Sequence, residues 1–157
     1  MAWTTPRTWV AGELVTAALF NTHLRDNLNF LYATGAGGFF FCRSSTPPTA
    51  GQTRYYGVWE SATETDISIP IPVAGTLRNL SAAASVAPGA AQTFTYTARK
   101  NAADTSLTCT ISGAAATSAS DTSHSPTVAA GDLLAVKVVV SGGGATAQHR
   151  ICWQLTN

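Results

Sequence analysis

The stretches QTFTYTARK (residues 92–100) and TSLTCTISG (residues 105–113) decide how this chain folds. In the first, Phe94, Tyr96 and Ala98 alternate with polar residues, mostly threonine; in the second, Leu107, Cys109 and Ile111 do the same. A period of two sends one set of side chains to one face of an extended strand and the remainder to the other. Each stretch therefore reads as a strand of an antiparallel sheet with its apolar face inward and its hydroxyl face toward water.

The same period continues on both sides. FFFC (39–42), RYYGVW (54–59) and TLRNLSAAASV (76–86) read as strands, and LLAVKVVV (133–140) is the most apolar and is expected at a sheet centre. QHRICWQL (148–155) places Ile151, Trp153 and Leu155 on one face together with His149. In TDISIPIPV (65–73), Ile67, Ile69, Ile71 and Val73 oppose Ser68, Pro70 and Pro72. The prolines cannot donate to a ladder, so this strand is expected at an edge or interrupted. SSTPPTAGQT (44–53) reads as a loop, AAATSASDTSHSPTV (114–128) as a polar exposed loop, and SGGGAT (141–146) as a turn. The sum is a mainly β fold: a two-sheet antiparallel, jelly-roll-like sandwich of about eight strands. No helical pattern separates the strands, which excludes an α/β sheet, and the Cys…Trp…Cys spacing of an immunoglobulin domain is absent.

One amphipathic helix precedes this body. In FNTHLRDNLNFLY (20–32), Phe20, Leu24, Leu28 and Leu31 share a face, opposite Asn21, Arg25, Asp26 and Asn29. Thr16 is placed to cap the first amides, and Val15 with Phe20 to form a hydrophobic staple. Glycines 35, 37 and 38 end the helix, and the period then changes from helical to two. The chain thus divides into an arm and helix for anchoring or oligomerisation, 1–34, and a β body, 35–157. A helix of this length is marginal alone, so its stripe needs a partner surface. Exposed tryptophans in the arm need one as well. Trp3, Trp9, Phe20, Leu24, Leu28 and Leu31 are accordingly the expected assembly or anchoring residues.

Composition narrows the function. Charged residues are 11% of the 157 and the net charge is +1, against about 25% charged in an ordinary soluble domain. That is poor material for nucleic acid or an anionic membrane, both of which call for clustered Lys and Arg. A nearly neutral surface has little self-repulsion and suits a packed assembly. No run reaches the length of a membrane span, and the first 18 residues lack the apolar centre of a signal peptide, so synthesis in the cytoplasm without processing is expected. Cys42, Cys109 and Cys152 are odd in number and widely spaced. They read as reduced, buried small hydrophobes rather than as disulfide partners or zinc ligands.

Reactive constellations are weak throughout. Asp121 with His124 lacks a third ligand, and His23 reads as helix surface or an interface contact. His149 reads as a packed or interface imidazole. Glu60, Glu64 and Asp66 read as an acidic turn rather than a cation site or a glycosidase pair. Tyr55, Tyr56 and Trp59 read as core or subunit contacts rather than a sugar platform. No phosphate-binding loop, zinc-protease or nucleophile-elbow motif is present. No enzyme, cofactor or metal is expected.

Residues 5–31, TPRTWVAGELVTAALFNTHLRDNLNFL, carry Trp9, Gly12 with Glu13, Val15 with Thr16, and the run Leu24-Arg25-Asp26-Asn27-Leu28. This pattern resembles a segment near the start of many virion proteins of tailed bacteriophages. The resemblance implies an attachment element preceding a variable β body exposed on the particle. The body resembles, in composition and strand spacing, the trimeric jelly rolls of head-decoration proteins and fibre tips. It implies a structural virion protein, a homotrimeric capsid decoration or head-fibre protein bound to the major capsid protein or another virion component. The alternative is a receptor-binding tail fibre or tail tip whose loops 44–53 and 114–127 contact a host surface glycan or protein.

Overall fold

A computed structural model describes residues 4–5, 7–29 and 38–156. The chain forms two compact units, one reaching to Gly37 and the other spanning Gly38–Thr156. Among the described residues no helix is long and apolar enough to cross a membrane.

The second unit holds eleven strands in chain order: β1 Gly38–Arg43, β2 Thr53–Tyr56, β3 Glu60–Ser61, β4 Ile69–Pro70, β5 Gly75–Ala84, β6 Gly89–Lys100, β7 Ala103–Gly113, β8 Ser118–Asp121, β9 Thr127–Val128, β10 Leu133–Val140 and β11 His149–Thr156. They form two antiparallel sheets. One runs β1-β11-β5-β8 with β9 beside β5, and the other runs β3-β2-β10-β6-β7 with β4 beside β10. Setting aside the two-residue strands β3, β4 and β9 leaves eight, of which seven were expected from the sequence and the eighth, β8, lies in a segment expected as loop. Their pairing follows one rule: β6 with β7, β5 with β8, β2 with β10 and β1 with β11. A single long antiparallel ribbon, doubled at β6–β7 and wound into two layers, produces this order, which is the jelly roll.

The alternating residues face between the layers. Phe94, Tyr96 and Ala98 of β6, Leu107, Cys109 and Ile111 of β7, and Ile151, Trp153 and Leu155 of β11 are all buried. Strand β10 occupies the middle of its sheet and buries Leu134, Val136, Val138 and Val140. Across the core, β5 contributes Leu77, Leu80, Ala82 and Ala84. It keeps that face in register through an irregularity at Asn79, whose φ of 56° is left-handed.

Two expected features differ. Segment 65–73 is not a continuous strand: only Ile69–Pro70 pair, with Leu133 and Leu134 of β10. Glu64–Asp66 form a 3-10 turn, closed by the Ile67 amide donating to Glu64 O, and Val73 is exposed. The prolines remove the donors a ladder needs, while Ile67 and Ile71 are still buried. This segment also passes so close to Gly57 that a Cβ there would lie 1.9 Å from Ile67 O, which explains a glycine at that position. The second difference lies in 114–128, expected as an exposed loop. Ser118–Asp121 pair with β5 and Thr127–Val128 extend the same edge. A strand whose largest inward residue is Ala119 or Asp121 carries no apolar alternation to reveal it.

Candidate assembly surface

In the N-terminal unit, the chain from Thr4 through Glu13 turns at Gly12, with a φ of 82° that favours glycine. Glu13 secures the turn by pairing with Arg7 and accepting from the Val10 amide at 3.3 Å. Thr16 caps the helix, its Oγ1 accepting from the Leu19 amide at 3.3 Å, so the expected cap forms. Ala17–Phe20 are α-helical and Asn21–Arg25 make one wider π turn, in which the Asp26 amide donates to Asn21 O. Residues 26–29 are helical again. The wider turn departs from the regular helix expected, and such single π turns occur as insertions within α-helices.

The arm is held by Asn27, which is buried. Its Oδ1 accepts from the Thr4 amide at 3.0 Å, and its Nδ2 donates to Thr4 O at 2.9 Å and His23 O at 3.3 Å. The side chain thus satisfies both backbone groups of one arm residue. Trp9 meets His23 edge to face with centroids 6.2 Å apart, and the Arg7 guanidinium lies 5.0 Å from the Trp9 ring. Glycine for the turn, glutamate for its clasp, threonine for the cap and asparagine for the arm account for much of the pattern at 9–28. Replacing Asn27 with alanine leaves the Thr4 amide without its acceptor. Hydrogen exchange at Thr4 is expected to accelerate by about tenfold or more, and an unchanged rate would show that the clamp contributes nothing.

With the arm so placed, Arg7, Trp9, Val15, Phe20, His23 and Leu24 line a cleft of about 250 Å³. Val15 and Phe20 therefore share one surface, as a staple requires. Among the described residues of this unit seven large apolar side chains stay exposed: Trp9, Val10, Leu14, Val15, Phe20, Leu24 and Leu28. Of the expected anchoring residues, Trp9, Phe20 and Leu24 meet in the cleft and Leu28 is exposed on the helix. Trp3 and Leu31 lie outside the described residues. Asn27 was not among the expected residues, although a polar side chain between Leu24 and Leu28 within the apolar stripe is the signal that marks it.

The body disperses the other candidates. Asp121 is buried and accepts from the amides of Thr108 (3.0 Å), Ser123 (3.0 Å) and His124 (3.2 Å) and from His124 Nδ1 (2.8 Å). Burial pushes its carboxyl up, yet these donors outweigh burial and hold it at about 2. Asp121 therefore fastens β8 to β7 and folds the following turn, in place of the exposed loop position expected for it. Glu60, Glu64 and Asp66 separate. Glu60 accepts from the Ser45 amide at 2.9 Å, whereas Glu64 forms a paired contact with Arg99, 2.7 Å from Nη2. Arg99 lies 5.8 Å from the Tyr55 ring and also pairs with Asp104. Tyr56 is in the core while Trp59 is exposed, so the three aromatics form no common platform.

Cys42, Cys109 and Cys152 are free. Burial pushes the Cys42 thiol up to about 12 and the Cys109 thiol to about 11, which leaves both unreactive near neutrality. Among the described residues, no group of three or more His, Cys, Asp and Glu is arranged to hold a metal ion. No protein-family model matches the chain, and no curated protein matches it.

Proposed function

We propose that this chain is a structural virion protein of a tailed bacteriophage, a trimeric capsid decoration or head-fibre protein. In this reading the N-terminal unit attaches the chain to the major capsid protein or another virion component, and the jelly-roll body coats or projects from the particle. The observation that carries it is the set of exposed apolar side chains, Trp9, Val10, Leu14 and Val15 on the arm and Phe20, Leu24 and Leu28 on the helix, in a unit whose own cap, turn clasp and arm clamp are already satisfied. A surface of that kind on a small unit marks an interface, and the residues that build it are those of the phage-like segment 5–31. Burying it contributes roughly 25 cal/mol per Å² before the cost of association.

Removing residues 1–34 and measuring incorporation into particles tests the attachment role. The expected result is loss of nearly all occupancy, with the body still folded by circular dichroism. Unchanged occupancy would overturn it. A second arm uses Phe20→Ser with Leu24→Ser in the full chain, for which a drop of at least about tenfold in occupancy is expected, since clustered apolar anchors dominate such contacts.

A further inference from the structure

The outward face of sheet β1-β11-β5-β8 is organised in cross-strand rows. Register places Arg43 beside Arg150, and Arg150 beside Ala83. The next row runs Phe41, Cys152, Ser81 and Ser120, and the third runs Phe39, Gln154 and Arg78. Phe39 and Phe41 are 62% and 74% exposed and their rings stack with centroids 6.3 Å apart. Short side chains in the middle rows leave a shallow cleft of about 530 Å³ between Phe41 and the Arg43/Arg150 pair.

The charge on this face is one-sided. Arg43, Arg78 and Arg150 form no ion pair among the described residues, whereas Arg7, Arg25, Arg54, Arg99 and Lys137 all do. Arg43 and Arg150 are direct neighbours across the ladder, and like charges so placed, with Cβ atoms about 4.5–5.5 Å apart, oppose each other. An oxyanion between two guanidiniums relieves that repulsion and takes a forked hydrogen bond from each.

A second copy of the chain is a poor source of that anion. Of its eight carboxylate side chains, all but Asp66 are already engaged by donors among the described residues. Three arginines are also too few for a nucleic-acid backbone, which is bound through rows of cations. What remains beside the anion position is the exposed Phe41 ring, with the Ser81 hydroxyl on the same cleft lining.

We infer that this cleft binds an acidic saccharide, its carboxylate or phosphate held between Arg43 and Arg150 and the apolar face of the sugar ring lying on Phe41. The cleft falls within the size range of small-ligand sites, about 300–1,000 Å³, and pairs an apolar wall with a few convergent polar groups. The site is independent of the attachment role assigned to the N-terminal unit, and either can fail without the other.

Ligand-observed NMR on the full chain tests it with four probes: glucuronate, glucose 6-phosphate, glucose and inorganic phosphate. One or both charged sugars are expected to bind with a Kd of about 1 mM or tighter, and glucose and inorganic phosphate at least about tenfold more weakly. Which charged sugar binds identifies the anion as carboxylate or phosphate. Arg150→Gln and, separately, Arg43→Gln are expected to weaken the charged sugar by about tenfold or more, and Phe41→Ser to weaken it without affecting inorganic phosphate. All three positions are exposed, so these variants keep the core. Absence of binding by both charged sugars overturns the inference, as does inorganic phosphate binding as tightly as glucose 6-phosphate, which marks an adventitious ion only. A Phe41→Ser variant that changes only the oligomeric state in sedimentation, with sugar binding intact, also overturns it.

Discussion

Trp153→Ala is expected to lower the unfolding free energy by about 3–5 kcal/mol, a third or more of the roughly 5–15 kcal/mol that a domain possesses. Trp153 is 2% exposed, sits on the inner face of β11, and stacks on Phe40 with centroids 5.5 Å apart and planes 13° from parallel. Strand β11 is bonded on both sides, to β1 and β5, so its backbone is not free to move in and close the space. The neighbouring strand β5 offers Ala82 and Ala84 on the same face, side chains too short to fill an indole-sized void. Loss of transfer energy and the residual cavity therefore add rather than trade. Urea unfolding of the full chain measures the effect. A loss under about 1.5 kcal/mol would mean that the layers collapse onto the gap and that the sandwich is far softer than close packing implies.

The strands that were legible in the sequence share one physical property. Phe94, Tyr96 and Ala98, like Leu107, Cys109 and Ile111, lie in strands with one face in the core and one toward water, so burial writes itself as a period of two. Where that contrast fails, so does the reading. In β8 the inward residues are Ala119 and Asp121, and Asp121 is buried because four donors converge on it. Three of those donors come from Ser123 and His124 just after β8, but the fourth, the Thr108 amide that ties Asp121 into the sheet, lies 13 positions away on β7 and has no local signal. Segment 65–73 fails in the opposite sense. Its isoleucines alternate, but Pro70, Pro72 and the turn at Glu64 divide the burial among three different local conformations.

The N-terminal unit divides in the same way. Thr16 and the stripe Phe20, Leu24, Leu28 are local signals, set by helix geometry over a few residues. The clamp between Asn27 and Thr4 spans 23 positions and depends on the arm folding back, which composition does not encode. The paired arginines of the outer sheet face are less legible still. Arg43 and Arg150 become neighbours only once β1 and β11, the first and last strands of the body, are known to pair and in which register.

Acidification from pH 7 to pH 4 is expected to remove about 3 kcal/mol of stability through His149 alone. The imidazole is fully buried, its Nδ1 is 2.7 Å from the Tyr96 hydroxyl, and the Phe94 ring meets it edge to face at 4.9 Å. Its Nε2 has no hydrogen-bond partner among the described residues. Burial penalises the imidazolium and lowers the pKa from the ordinary 6.5 to about 4. The unfolded chain therefore takes up a proton as pH falls through 6.5, while the folded chain refuses it until about pH 4. Between those values the unfolded state binds more protons, so stability falls with falling pH and levels off once the folded imidazole also titrates. The contribution is complete above pH 6.5. Asp121 acts in a separate window: held at about 2 against an ordinary 3.8, it destabilises the fold only as pH drops below about 4. Urea titrations at closely spaced pH values separate the two. In His149→Phe the fall between pH 6.5 and 4 is expected to flatten while the step below pH 4 persists, even though the variant starts lower because the Tyr96 hydroxyl has lost its partner. An undiminished slope between pH 6.5 and 4 in His149→Phe would assign the acid sensitivity to another group.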